Sequence, residues 1–206
     1  MSGGLAIQYI VGVTATCLLG PIVLFCLYPR SVRVWFEAGP AGIGALASRA
    51  AQDVIAVLGE LGFRPIGVKV ERPVLRSPIR ELSFVAEDGR SYASVAASRS
   101  RSRLYFYTPF PDGGLVLTSN GSFPKIRSAT VVQQSFPGCE PRELLGRHHE
   151  AVASLGRTGE VSPTPEGRIA ATHAYYAAPE VRRVLVRTGM FLLLWMAVLG
   201  WLLTRR

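Results

Sequence analysis

The chain is apolar at both ends and alternates polar with apolar residues between them. Residues 5–28 carry no charged side chain, and Gln8 is their only strongly polar one. As a helix this stretch rises about 36 Å at ~1.5 Å per residue, which exceeds a hydrocarbon core of about 30 Å. Residues 188–203 form a second uncharged run. It extends back to Val184 when the Arg187 guanidinium reaches headgroups along its aliphatic stem. Two transmembrane helices are therefore expected. The first does not read as a cleaved signal. Residues 1–4 bring no basic side chain, the apolar run is too long, and Pro29-Arg30 closes it as a stop would. An uncleaved anchor is expected.

The segment between the spans changes period twice. Trp35 and Phe36 stand beside Arg30 and Arg33, the pattern of an interface anchor at a membrane exit. Residues 43–61 place Ile43, Leu46, Ala50, Val54, Val57 and Leu61 at helical spacing, with Gly62 as the stop. From 63 to 136 the period shortens to that of strands, expected at 66–72, 80–86, 92–97, 103–107, 114–119 and 129–135. Asp88-Gly89 and Asp112-Gly113 supply the positive φ angles of tight turns, so the strands should follow one another as an antiparallel meander. Residues 142–155 return to helical spacing through Leu144, Leu145, His148 and Val152. A short third helix is expected at 168–178, and Pro179 suits the first turn of a helix entering the membrane.

The expected fold is α+β: a five- to six-strand antiparallel meander packed with two or three helices and flanked by two transmembrane helices. The divisions are 1–29, a first span; 30–183, the folded domain; and 184–206, a second span with a short tail. The order helix, meander, helix resembles folds in which a sheet curls around one helix, such as the cystatin-like ones, an analogy of fold alone.

Charge adds an orientation. The net charge is +9, from 21 Arg and 2 Lys against 14 acids. Arg30, Arg33, Arg182, Arg183 and Arg187 flank the domain-side ends of the spans, against Arg205 and Arg206 at the other. The positive-inside rule then places the domain in the cytoplasm and both termini across the cytoplasmic (inner) membrane. A basic domain tethered there is drawn to anionic lipid headgroups. Cys17 and Cys26 lie within the first span and Cys139 stands alone, so no disulfide framework is expected.

Candidate chemistry is thin. Gly42, Gly44 and Ala47 match a G-x-G-x-x-A dinucleotide fingerprint, with Glu71 as the ribose acid. The strand before it is five residues too distant, Glu71 lies too far downstream, and no βαβ unit follows, so a hinge and a helix start are the better account. His148-His149-Glu150 lacks a second histidine at position 153, where Ala stands, and only His173 remains elsewhere. His148 falls on the apolar stripe and reads as a core histidine. No nucleophile elbow and no Walker sequence is present. Asp112 and the Thr118-Ser119-Asn120-Gly121 run could form a polar mouth at one sheet end, although turn chemistry explains them equally.

Two surface features remain. Arg99, Arg101 and Arg103 alternate with serines ahead of Leu104-Tyr105-Phe106-Tyr107. Such a stretch suits a solvated strand edge or loop whose charge blocks edge-to-edge pairing, suits lipid phosphates or an acidic protein face nearly as well, and suits nucleic acid less well in a two-span protein. Gly12, Thr16 and Gly20 share one face of the first span, where small residues let helices approach closely. Their partner would be the second span or a helix of another protein. Arg30, Arg33, Trp35, Arg187 and Trp201 are the expected membrane-interface anchors.

The function expected is a non-catalytic accessory or scaffold subunit of a larger membrane complex, with no cofactor and with other membrane subunits as partners. The alternatives are an effector whose cytoplasmic domain binds a small molecule and drives oligomerisation, and an enzyme working at the membrane surface.

Overall fold

The computed structural model describes residues 2–37, 48–97 and 102–204. The Gly42–Ala47 fingerprint and two of the three alternating arginines, Arg99 and Arg101, lie outside these residues.

Helix α1, Ser2–Leu27, carries Pro21 within it and ends in a tight turn at Pro29–Ser31. Strand β1, Arg33–Phe36, follows at once. Helix α2, Arg49–Glu60, precedes the strands β2, Phe63–Arg72; β3, Ile79–Ala86; β4, Tyr92–Ala97; β5, Ser102–Pro109; and β6, Leu115–Ser119. The short β7, Ile126–Arg127, and β8, Val131–Ser135, complete the sheet. Helices α3, Pro141–Ser154, α4, Pro165–Ala177, and α5, Pro179–Thr204, follow.

The α+β class holds, and the sheet departs from a simple meander in two places. Eight strands run in the order β1-β2-β3-β4-β5-β6-β8-β7, and β6 pairs with β8 in parallel. The antiparallel hairpins end at β6. The chain crosses residues 120–130, lays β7 on the far edge and returns into β8, which supplies the longer connection a parallel pair needs. At the other edge, the segment read as a membrane-exit anchor is strand β1, with Trp35 opposite Val70 and Phe36 opposite Lys69. A four-residue edge strand carries too little alternation to stand out in sequence. Gly67 sits at a bulge with φ +145°, and a side chain there would press on the Phe36 ring, 3.3 Å from where its Cβ would stand. Only glycine suits both demands.

Because side chains alternate across a strand, each face of the sheet has its own cover. Val68, Val70, Leu82, Phe84, Leu104 and Phe106 point to one face, where Ala51 and Leu58 of α2 and Leu144 and Leu145 of α3 close the main core. Val85, Tyr92, Tyr105, Tyr107 and Leu117 point to the other, under Ala171 of α4, Ala178 just after it and Val181 at the start of α5. Helices on both faces replace the single wrapped helix of the cystatin-like analogy.

Helix α4 stops because of its neighbour. Ala178 precedes Pro179, whose ring disfavours helical backbone in the residue before it, and Ala178 adopts ψ 126°. Helix α5 restarts at Pro179 and packs alongside α1. At the root of this pair, a Cβ on Gly189 would stand 2.9 Å from the Cβ of Cys26, so only glycine permits the approach. Both helices are long and apolar enough to cross a membrane, and few residues of either window are buried. Leu18, Phe191, Leu194 and Trp195 are each more than half exposed. A core helix of a soluble protein would be buried instead.

His148 is fully buried, as its place on the apolar stripe implies. Its Nε2 lies 2.9 Å from the Thr108 hydroxyl on β5 and its Nδ1 3.1 Å from the Thr118 hydroxyl on β6. One ring nitrogen donates and the other accepts, so a neutral ring is fully satisfied. Burial, and secondarily His149, pushes its pKa down to about 3. An unfolded histidine takes up a proton near 6.5, so between about 6.5 and 3 the unfolded chain binds a proton that the native one refuses. Stability is predicted to fall with pH in this window by up to roughly 1.4 kcal/mol per pH unit. Carboxylates contribute only lower, so unfolding midpoints of the detergent-solubilised chain at pH 6.5, 6 and 5 isolate the effect. His148→Gln should flatten that slope, and an unchanged slope would refute the assignment.

Candidate functional site

The sheet face beneath α4 buries four charges. On β2, Lys69 and Glu71 both point to this face, being two residues apart. Glu81 stands opposite Lys69 in the β2–β3 register, and Tyr105 reaches in from β5. From above, α4 presents Arg168, Thr172 and Tyr176, spaced four apart and so aligned along one stripe. Lys69 and Arg168 are at most 2% exposed.

The contacts interlock. Lys69 Nζ lies 2.5 Å from Glu71 Oε1, 3.0 Å from Glu81 Oε2 and 3.0 Å from the Tyr105 hydroxyl oxygen. That hydroxyl donates to Glu81 Oε2 at 2.5 Å and accepts from Arg168 at 3.0 Å. Arg168 also donates to Thr172 Oγ1 at 2.9 Å and Ser94 Oγ at 3.2 Å. Its guanidinium lies 5.0 Å from the Tyr92 ring centroid and 5.4 Å from that of Tyr107, within cation–π range. Tyr176 donates to Glu71 Oε2 at 2.8 Å, and its ring meets Phe25 of α1 edge-on at 6.0 Å. The cluster thus ties β2, β3, β5 and α4 together and touches the end of the first apolar helix.

Its electrostatics reinforce charge rather than prepare a proton transfer. Burial and the neighbouring Arg168 disfavour a charged Lys69, but Glu71, Glu81 and Tyr105 outweigh them and hold its pKa above the ordinary lysine value. Burial opposes the Glu71 carboxylate in the same way. The Lys69 charge, hydrogen bonds from Lys69 and Tyr176, and Arg168 together hold it below its ordinary value. Burial pushes Tyr105, Tyr107, Tyr175 and Tyr176 up. A charged amine is no nucleophile and a neutral phenol no base, so these groups serve as a lattice of two cations and two anions. A cavity of about 60 Å³ remains among them, and one donor facing the cluster, Arg168 Nε, has no partner. That space suits one or two waters.

The residues singled out from sequence are scattered. Arg103 lies exposed on β5 with its guanidinium 5.7 Å from the Phe123 ring centroid. Gly12 and Gly20 have open space around them, and the Thr16 hydroxyl donates to the Gly12 carbonyl at 2.9 Å. Where α1 and α5 meet, Gly189 lies against Cys26 and Leu27. Arg30, Arg33 and Arg187 are exposed, as are Trp35 at 37% and Trp201 at 51%. The proposed polar mouth does not form. Asp112 pairs with Arg157 before β6, whereas Asn120 follows β6 and accepts from the Leu104 amide, so the groups sit at opposite strand ends. Among the described residues no three His, Cys, Asp or Glu side chains gather as a metal site would need.

Comparison with known proteins found no family model, no curated protein and no solved structure that matches the chain.

A buried charge loses most when its partner alone is removed. Lys69→Met, which strands two carboxylates, is predicted to destabilise the domain by about 3–5 kcal/mol. Replacing Lys69, Glu71, Glu81 and Arg168 together by Met, Leu, Leu and Met should recover much of that loss, because no lone charge stays buried. Denaturant unfolding of both variants in detergent tests this, and a quadruple variant no more stable than Lys69→Met would contradict it.

Proposed function

We propose that this chain is a non-catalytic accessory or scaffold subunit of a larger membrane assembly, with α1 and α5 in the bilayer and the sheet domain in the cytoplasm. The observation that carries this reading is how the buried charges are used. Lys69, Glu71, Glu81 and Arg168 neutralise one another and fasten α4 to the sheet. Helix α4 leads through one residue into α5, and Tyr176 of α4 meets Phe25 of α1. The polar chemistry of the interior therefore supports a mount that sets the domain's attitude to its two anchors. What remains available to partners is the surface.

That surface has two parts. Bare apolar sides of α1 and α5, including Leu18, Phe191, Leu194 and Trp195, suit lipid tails or the helices of other subunits. Exposed arginines at the domain-side roots, Arg30, Arg33, Arg182, Arg183 and Arg187, suit an anionic inner leaflet and support the cytoplasmic orientation. Gly12 and Gly20, open within the chain, offer one face for close helix packing with a partner.

A second reading, ligand sensing, draws on the unpartnered Arg168 Nε beside its small cavity. At about 60 Å³ that space suits water better than a larger ligand, which favours the subunit reading.

The subunit reading predicts that the chain resists alkaline carbonate, that protease added outside intact cells leaves the domain uncut, and that partner membrane proteins copurify from native membranes in mild detergent. Release by carbonate would remove the membrane placement. Digestion from outside would reverse the orientation. Migration as a lone monomer, with nothing in stoichiometric company, would count against the assembly.

A further inference from the structure

A second cavity, of about 180 Å³, lies where the two apolar helices meet the sheet. Its walls come from Phe25 at the end of α1, from Val181, Val184 and Leu185 in the first turns of α5, and from Phe123 and Ile126 at the sheet edge. It exceeds the roughly 150 Å³ of an engineered apolar cavity that stays dry and takes up benzene.

The few polar groups on its border are already committed. The Tyr175 hydroxyl donates to Gln133 Oε1 at 2.9 Å, and Gln133 Nε2 donates to the Pro124 carbonyl at 2.7 Å. Tyr176 turns its hydroxyl away, to Glu71. Water needs two to four polar partners to settle in a cavity, and this wall has spent its own on one another. An apolar occupant is favoured.

Position and charge select the occupant. The cavity sits at the roots of α1 and α5, the level at which a leaflet's chains and headgroups would meet the domain. Exposed cations interrupt its lining along α5, with Arg182 and Arg183 between Val181 and Val184. Neither forms an ion pair among the described residues. We infer that this cavity takes an acyl chain of an anionic phospholipid from the adjoining leaflet, with the headgroup held by Arg182 and Arg183. The inference rests on the placement of α1 and α5 in the bilayer.

The test uses the full chain reconstituted in phosphatidylglycerol vesicles doped with phosphatidylglycerol that bears a diazirine at one acyl-chain end. After irradiation, digestion and mass spectrometry, crosslinks are expected at two places. One set falls on the exposed sides of α1 and α5, and a separate set on peptides holding Phe123, Tyr175 and Val184. Doped phosphatidylcholine of the same chain length should give about fivefold less of the second set or lower still, since the cations add electrostatic attraction only for the anionic lipid. Val184→Trp, or Ile126→Phe from the opposite wall should the first not fold, fills the cavity and should abolish the second set while leaving the first. Crosslinks confined to the helix sides, or a second set that persists in the filled variant, overturn the inference and leave the membrane placement standing. Equal labelling by phosphatidylcholine overturns the role of the two arginines. Absence of both sets overturns the membrane placement itself.

Discussion

Two cations and two carboxylates buried between β2, β3 and α4 set the terms for everything else in this chain. Removing charges from water is expensive, and their mutual attraction offsets it only with close geometry and added hydrogen bonds. Here Lys69 touches both carboxylates, and Tyr105, Tyr176, Thr172 and Ser94 meet the other hydrogen-bonding groups, Arg168 Nε excepted. An apolar face under α4 would hold the helix as firmly and in several registers. A charged face accepts only the one in which Arg168 reaches Tyr105 and Tyr176 reaches Glu71. The cluster therefore acts on the position of α4, and through Ala178 on the direction from which α5 leaves.

The same logic explains what could and could not be read from the residues alone. The terminal helices were plain, because an uncharged run of that length has few other uses. The hairpins from β2 to β6 were legible through Asp88-Gly89 and Asp112-Gly113. His148 betrayed its burial through its spacing from Leu144. Strand β1 shows in the sequence only as a possible strand ahead of Gly42, β7 with two residues holds too little pattern to show, and the parallel β6–β8 pair is a long-range choice with no local mark. Lys69 and Glu71 alternate with Val68 and Val70, which is how a strand with a wet face looks. Only the later arrival of α4 makes that face dry. The one hint was on α4 itself, where Arg168, Thr172 and Tyr176 recur every four residues on a helix that needs an inward stripe.

Around this centre the molecule is layered by polarity. One sheet face is an ordinary apolar core under α2 and α3. The other passes from the charged cluster, across the rings of Tyr175 and Tyr176, into an apolar hollow between the roots of α1 and α5. Those two tyrosines divide the environments, turning their hydroxyls toward Gln133 and Glu71 and their ring carbons toward the hollow. Aromatic residues with one polar tip suit such a boundary.

The Tyr105 hydroxyl has a further consequence. It owns a single hydrogen, given to Glu81, while Lys69 and Arg168 occupy its lone pairs. The polarity of that bond is therefore dictated from both sides, and reversing it would aim hydrogen at hydrogen. A Grotthuss wire needs links that can flip, so this phenol, fixed in one sense, would relay no proton from Glu81 to the groups around it.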